Sequence, residues 1–126
     1  MLDTHVAIWA VSSPEMLSSS IASIITDPQN EIYVSVASIW EISIKFAMAR
    51  PSSVPFSGQD AIGYFENAGC RMLSITPQHA AATERLVTLH RDPFDRLLIA
   101  QAITEPLVLI SKDRNVASYS PSFLTW

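Results

Sequence analysis

The 126-residue sequence has little cysteine, little positive charge and no long apolar run. Its single cysteine, Cys70, excludes an intramolecular disulfide framework and a cysteine-rich metal site, and it favours a reducing cytoplasm. Eight Lys and Arg residues stand against twelve Asp and Glu residues, so the net charge is −4. A protein with this charge does not attract nucleic acid through its overall field.

Membrane insertion and secretion are also disfavoured. Charged residues or serines interrupt each apolar stretch well short of the roughly 20 residues that a spanning helix needs. The N-terminus lacks the basic segment of a secretory signal, because Asp3 stands there and no Lys or Arg precedes Lys45. We therefore expect a soluble, cytoplasmic protein with no membrane partner.

The composition nevertheless supports a substantial hydrophobic core. Apolar residues make up 48% of the chain and charged residues 16%, which is typical of a folded globular protein. A chain of this length accommodates one ordinary core. We therefore interpret residues 1–126 as a single domain.

Apolar periodicity predicts helices that alternate with short strands. The predicted helices are His5–Val11, Leu17–Thr26, Val36–Ala49, Gln59–Asn67, Pro77–His90 and Pro93–Thr104. The predicted strands are Ile32–Val34, Arg71–Ile75 and Leu107–Ile110, with shorter ones at Met1–Leu2 and Phe123–Trp126. A surface loop is expected at Arg50–Gly58. Such alternation indicates an α/β fold with three layers and a mostly parallel sheet.

Two acidic residues follow predicted strands, and ligands of parallel α/β sheets gather at that edge. Asp3 follows Met1–Leu2, and Asp113 follows Leu107–Ile110 after two intervening residues. Each has a structural alternative, because Asp3 is also a suitable helix N-cap and Asp113 a suitable turn residue.

Glu41 stands in an otherwise apolar helix. Ser38, Glu41 and Lys45 share one narrow stripe, and we expect the rest of this helix to be packed on most sides. The alternative to a functional role is an ion pair between Glu41 and Lys45, worth about 0.2–0.5 kcal/mol.

The segment from His90 to Ala102 contains the most specific motif, Asp-Pro-Phe-Asp-Arg followed by an apolar helix. Asp92 is placed as the N-cap, Pro93 at the first helical position and Asp95 at the third. Capping accounts fully for Asp92 but less well for Asp95, because burial of the helix would bring its first turn to the sheet edge.

Acidic side chains that converge on one pocket repel one another unless a cation neutralises them. Carboxylate oxygens select a hard ion, Mg²⁺ or Mn²⁺. Such ions promote phosphodiester hydrolysis by activating water and stabilising the leaving oxygen. The acidic residues together therefore indicate metal-dependent hydrolysis.

Four stretches carry a family resemblance: Asp3-Thr4-His5, the segment from Ser38 to Lys45, the segment from Arg91 to Ala102, and Leu109 to Asp113. Together they resemble the PIN-domain toxins of VapBC type over essentially the whole chain. The resemblance implies a PIN-like three-layer α/β/α sandwich with about five strands, and a Mg²⁺- or Mn²⁺-dependent endoribonuclease. It also implies an RNA substrate, a VapB-type antitoxin and a homodimer.

Carried over to this chain, the resemblance implies a catalytic acidic set of Asp3, Glu41, Asp95 and Asp113. Asp3, Asp95 and Asp113 would contact the metal directly or through water, Glu41 would act through water, and Asp92 would be a further neighbour. Hydroxyl contacts are expected from Thr4 and Ser111, although a cap or turn role is equally open. A basic rim for the substrate is expected from Lys45, Arg91, Arg96, Lys112 and Arg114.

The apolar residues of the first helices have two interpretations. They would form either an antitoxin groove or, more commonly for any single residue, part of the core; they are Val6, Ile8, Trp9, Val11, Leu17, Ile21 and Ile24.

One departure from the family concerns the first strand. Only Met1 and Leu2 precede Asp3, and a shortened central strand would lose ladder bonds and weaken the placement of Asp3. Either the true start lies upstream or this strand is short.

A receiver-like phosphoacceptor domain is the alternative from another class, with Lys112 after a late strand. It is disfavoured because no acid closely follows the strands at Ile32–Val34 or Arg71–Ile75. A non-catalytic binding module is a third alternative, but all four expected acids are present.

Overall fold

The computed structural model describes residues 1–48, 54–87 and 91–126, and within them five short segments form one parallel sheet. Strand β1 (Tyr33–Ser35) pairs with strand β2 (Arg71–Leu73). Parallel bridges extend the sheet by three further segments, centred on Leu2, Ile110 and Leu124. All five predicted strands therefore occur as paired segments, several of them reduced to one bridge.

The order of the segments distinguishes between the proposed folds. Across the sheet they run β2, β1, Leu2, Ile110, Leu124, which is 3-2-1-4-5 when numbered along the chain. Receiver domains have the order 2-1-3-4-5. The receiver alternative is therefore wrong, and the α/β sandwich with a parallel sheet is confirmed.

The short segment at Leu2 lies in the middle of the sheet and is bonded on both sides. The Leu2 N–H donates to the Tyr33 carbonyl at 2.9 Å, and the Asp3 N–H donates to the Ile110 carbonyl at 3.0 Å. Leu2 is also fully buried. Asp3 is therefore firmly placed by the segment that was expected to hold it weakly.

Helices connect these segments, and a side chain caps the start of each one. Their bounds are α1 Thr4–Ser12, α2 Ser19–Thr26, α3 Val36–Ala47, α4 Gly58–Asn67, α5 Pro77–Ala82, α6 Pro93–Thr104 and α7 Arg114–Ala117. The N-caps are Asp3, Ser18, Ser35, Ser57, Thr76, Asp92 and Asp113. Helix α6 has the predicted bounds, whereas α7 was not predicted.

The prediction of one long helix over Pro77–His90 is wrong after Ala82, and residues 88–90 of that range lie outside the described residues. Helix α5 ends at Ala82, and a 3₁₀ turn follows at Thr83–Arg85. The guanidinium of Arg96 donates to the carbonyl of Thr83 at 2.8 Å and to that of Leu86 at 3.3 Å. This tertiary contact satisfies carbonyls that a continuing helix would have used.

Two other predicted boundaries fall partly outside the described residues. Helix α3 ends at Ala47, before its predicted end at Ala49, and the first part of the predicted loop at Arg50–Gly58 lies outside the described residues. Residues 54–57 have no helix or strand, as expected of the loop, and Gly58 already belongs to α4.

The core consists of two apolar clusters on the two faces of the sheet. Met1 and Leu109 belong to one cluster, whereas their neighbours Leu2 and Ile110 belong to the other. Because successive strand residues point to opposite faces, the clusters lie on opposite sides of the sheet. This arrangement confirms the three layers.

Most of the apolar residues of the first helices are used in this core. Val6, Ile8 and Ile21 are buried, and Val11, Leu17 and Ile24 pack against them. Helix α3 differs from the expectation, because Trp40 and Phe46 on it, and Met48 directly after it, are exposed. No helix among the described residues is long and apolar enough to cross a membrane.

Candidate active site

A cleft of about 310 Å³ lies at the edge of the sheet where the central parallel segments end. Three carboxylates reach it from separate parts of the chain: Asp3 after the central segment, Asp113 after the segment at Ile110, and Asp95 in the first turn of α6. The remaining lining residues are His5, Trp9 and Lys112.

Asp3 is a buried residue with both carboxylate oxygens engaged. Oδ1 accepts the N–H of His5 at 2.8 Å as the N-cap of α1, and Oδ2 accepts the hydroxyl of Ser111. Burial raises the pKa of this carboxyl, and the nearby charge of Glu41 raises it further. The two hydrogen bonds lower the pKa again but do not cancel the effect of burial. Asp3 therefore lines the cleft and also caps helix α1.

Asp113 and Asp92 both cap helices, but they differ in position. Asp113 accepts the N–H of Asn115 at 2.7 Å as the N-cap of α7, and it also lines the cleft. Asp92 accepts the N–H of Phe94 at 2.8 Å and is exposed. Asp92 therefore caps α6 as predicted, and its hydrogen bonds hold the first turn of the helix, which carries Asp95.

Glu41 is buried beside the cleft and pairs with Lys45, as the ion-pair alternative predicted. Oε1 lies 2.5 Å from the Lys45 ammonium nitrogen. Among the described residues, Oε2 of Glu41 is the buried side-chain polar atom with no hydrogen-bond partner. One oxygen of this carboxylate is therefore neutralised, while the other still needs a donor or a cation.

Thr4 and Ser111 are too buried for the expected direct contact with a substrate. The hydroxyl of Thr4 donates to that of Ser38 at 3.0 Å, linking the start of α1 to α3. The hydroxyl of Ser111 donates to Asp3 and accepts the N–H of Asp113 at 3.0 Å. Ser111 therefore positions two of the carboxylates.

The expected basic rim is only partly placed at the cleft. Lys112 lines it, whereas Lys45 is paired with Glu41 and Arg96 binds carbonyls at the end of α5 and beyond. Arg91 and Arg114 are exposed. Arg96 thus stabilises the fold through these carbonyls, and its contact with a substrate stays a prediction.

His5 and Trp9 line the cleft but were not predicted as site residues. They stand two and six positions after Asp3, and they are four positions apart in α1. Residues at this spacing share one helix face, so the helical period starting from His5, which directly follows Asp3-Thr4, was a usable signal.

The donor set of the cleft fits a hard divalent cation. Asp3, Asp95 and Asp113 offer carboxylate oxygens, and Glu41 adds an unsatisfied buried oxygen next to them. No group of three or more His, Cys, Asp or Glu side chains among residues 1–48, 54–87 and 91–126 forms a ready metal cage. Mg²⁺ does not require one, because it keeps several waters and uses one or two carboxylates directly.

The chain matches known proteins in sequence and in structure. A family model described as PIN domain matches residues 1–120. The chain is 29% identical over 123 residues to Ribonuclease VapC22 of Mycobacterium tuberculosis, covering 94% of this chain and 90% of that protein.

Its fold is similar to that of a chain in the crystal structure of VapBC2 from Rickettsia felis bound to a DNA fragment from their promoter. The TM-score is 0.68 at 16% identity, over 100% of this chain and 96% of the other. These matches confirm the resemblance drawn from the sequence motifs. The chain belongs to the PIN-domain family.

Proposed function

We propose that this chain, as a single PIN domain over residues 1–126, is a metal-dependent endoribonuclease and the toxin of a VapBC-type pair. One observation carries the proposal: three carboxylates from three separate parts of the chain line one cleft, with the buried carboxylate of Glu41 beside them. Such a concentration of negative charge is costly for the protein alone and is relieved by a cation. The similarity to Ribonuclease VapC22 supports RNA as the substrate.

The acidic residues have distinct proposed roles. Asp3, Asp95 and Asp113 hold a divalent cation directly or through water, and the free oxygen of Glu41 orients a water. When bound, the cation supplies an activated water nucleophile and stabilises the leaving oxygen of the phosphodiester. Asp92 remains a neighbour that fixes the turn carrying Asp95, and Ser111 orients Asp3 and Asp113 by hydrogen bonds.

Dependence on a divalent metal is general among PIN-domain ribonucleases. We propose Mg²⁺ or Mn²⁺ as the ion, because three carboxylates line the cleft against a single imidazole, that of His5. Lys112, Arg91 and Arg114 remain proposed contacts for the RNA backbone, since each is exposed. The overall charge of −4 opposes RNA binding less once the cation is loaded.

The proposed setting is the cytoplasm, with a VapB-type antitoxin as partner and a homodimer as the assembly. A relative in fold comes from a structure of VapBC2 bound to promoter DNA, which supports pairing with an antitoxin.

The test is cleavage of single-stranded and structured RNAs by purified protein with Mg²⁺, Mn²⁺ or EDTA. We expect cleavage with metal and none with EDTA. Asp3→Asn and Asp95→Asn should each lower the rate by more than about 100-fold, since even residues that merely support metal ligands contribute about 10- to 100-fold.

Asp27→Asn is the matched control, because Asp27 is exposed and caps only a local turn. Cleavage in EDTA, or full activity of both cleft variants, would contradict the proposed mechanism.

A further inference from the structure

Trp9 is a large aromatic residue that lines the acidic cleft without belonging to the core. Helix α1 contributes Val6, Ala7 and Ile8 to the buried apolar cluster, and Ala10 and Val11 pack against it. Trp9 belongs to neither apolar cluster of the described residues, although it is the largest side chain of the helix. Trp9 is half-buried, and it packs on Trp126 rather than into either cluster, so that part of its surface lines the cleft.

The indole ring of Trp9 contacts two other aromatic rings, those of His5 and Trp126. The ring of His5 lies 6.2 Å from that of Trp9 at an angle of 49°, and Trp126 contacts Trp9 edge to face at 6.2 Å. His5 is exposed at the mouth of the cleft. Trp126 and Trp9 form a T-shaped aromatic pair, which holds the indole of Trp9 in place.

Lys112 completes this wall of the cleft with a positive charge. Its ammonium group lies 4.8 Å from the centre of the Trp126 ring and donates to the Trp126 carbonyl at 2.5 Å. Lys112 is held near Trp9 by these contacts, yet it remains exposed and lines the cleft. One part of the cleft lining is thus aromatic and basic, and it shares the cleft with the carboxylates of Asp95 and Asp113.

We propose that this aromatic wall, formed by Trp9, His5 and Lys112, binds an unpaired nucleobase of single-stranded RNA next to the cleaved phosphodiester. The proposal rests on the proposed function and names the form of RNA that the site accepts. Trp9 stacks on the base, and Lys112 contacts an adjacent phosphate. The cleft volume of about 310 Å³ lies at the lower end of the range for ligand pockets.

The chemistry of the wall predicts which RNA is accepted. A base can stack on an indole only when it is out of its own helical stack, so single strands and loops are favoured over duplexes. Every base has a π face, and the wall places no buried polar side chain against the base. The preference is therefore for unpaired RNA, with little discrimination between bases at this position.

The test measures binding by fluorescence anisotropy of an end-labelled single-stranded RNA and of the same sequence as a duplex. The protein carries Asp95→Asn with Mg²⁺ present, so that the RNA remains intact. Adding Trp9→Leu keeps an apolar side chain but removes the π face, whereas adding Trp9→Phe keeps a smaller π face. We expect the leucine variant to bind the single strand roughly 5- to 150-fold more weakly, and the phenylalanine variant to retain most of the affinity.

Trp40→Leu is the matched control, because Trp40 is exposed on α3 outside the cleft lining and should leave binding unchanged. Unchanged affinity of the Trp9→Leu variant for the single strand would overturn the stacking site. An equal loss of duplex binding would also overturn it, because a duplex offers no free base.

Fluorescence quenching is a second measurement that needs no leucine variant and remains decisive if that variant does not fold. In the Asp95→Asn background, single-stranded RNA should quench the tryptophan emission of a Trp40→Phe protein and quench a Trp9→Phe protein much less. Equal quenching of the two proteins would contradict stacking on Trp9.

Cleavage kinetics separate this inference from the proposed function. With otherwise native protein, Trp9→Leu should raise KM with kcat little changed, as expected for lost binding of the substrate. If the native protein cleaves no RNA with metal, the proposed function fails, while the binding and quenching experiments still decide the stacking site.

Discussion

The hydroxyl of Ser111 donates a hydrogen bond to the buried Oδ2 of Asp3, although the two residues are 108 positions apart. The same hydroxyl accepts the backbone N–H of Asp113. Ser111 is fully buried and stands just after the segment that pairs with Leu2 in the sheet. One small side chain therefore links the carboxylate of Asp3 to the backbone of Asp113, two of the proposed metal-binding residues.

Ser111→Ala should lower metal affinity and cleavage by about 10- to 100-fold without unfolding the protein. The substitution removes a hydrogen bond that lowers the pKa of Asp3, so the pKa rises further and cleavage should need a higher pH. Titration with Mn²⁺ and a pH profile of cleavage measure both effects. Ser23→Ala is the control, because its exposed hydroxyl bonds only within α2. A variant with the native profile would show that Asp3 is positioned without Ser111.

Asp3→Asn should stabilise the metal-free protein near neutral pH. Burial raises the folded-state pKa of Asp3 above its ordinary 3.8, so the folded protein holds this proton more tightly than the unfolded chain. The free energy of unfolding therefore falls as the pH rises from 3.8 through the raised pKa. Asparagine at position 3 carries no titratable proton, so the variant does not lose this stability. Its amide fits the site, with the oxygen accepting from His5 and the nitrogen donating to Ser111.

Thermal unfolding in EDTA at a series of pH values checks this expectation. The melting temperature of Asp3→Asn should exceed that of the native protein at pH 7, and the difference should shrink below the ordinary pKa of 3.8. Asp27→Asn should show no such dependence. A difference that is constant with pH would mean that the ionised carboxylate of Asp3 does not destabilise the fold.

Ser35→Ala should destabilise the protein by about 2–3 kcal/mol, because this hydroxyl serves two partners. It caps α3 by accepting the N–H of Ala37 at 2.9 Å, and it donates to the buried Oε1 of Gln101 at 2.5 Å. Removing this hydroxyl eliminates the N-cap hydrogen bond of α3 and leaves the buried Oε1 of Gln101 without this donor. Ser18→Ala is the matched control, since the half-buried Ser18 caps α2 without a buried side-chain acceptor and should cost about 1 kcal/mol. Equal losses in urea unfolding would show that the bond to Gln101 contributes nothing.

Gly58→Ala should destabilise the contact between α4 and α3 by about 1–3 kcal/mol. A Cβ at Gly58 would lie 1.8 Å from the Ser43 hydroxyl oxygen, so that side chain must move. The cost should be smaller in a Ser43→Ala background, which a double-mutant cycle measures. Gly63→Ala in the same helix meets nothing within 4 Å and should instead stabilise by about 0.5–1 kcal/mol. A native-like Gly58→Ala protein would mean that the helices adjust at no cost.

Local sequence signals predicted several elements well because their causes are local. Asp92, Pro93 and the apolar run that follows specify the start of α6, and the observed helix has the predicted bounds. The predictions of secondary structure failed where a residue distant in the sequence changed the local backbone. The chain after Ala82 leaves the helix at carbonyls bound by Arg96, and no pattern within Pro77–His90 indicates that partner.

The candidate site shows the same division. The sequence by itself determined that acids follow short strands, that Glu41 and Lys45 share one helix stripe, and that the motifs are those of a PIN domain. Only the tertiary structure decided that Asp3, Asp95 and Asp113 share a cleft with Trp9, and that Ser111 bonds to Asp3. The reason is physical. Helix periodicity, helix capping and ion pairs between residues four positions apart depend on nearby residues in the sequence. The convergence of side chains at a sheet edge depends instead on the order in which distant segments pair.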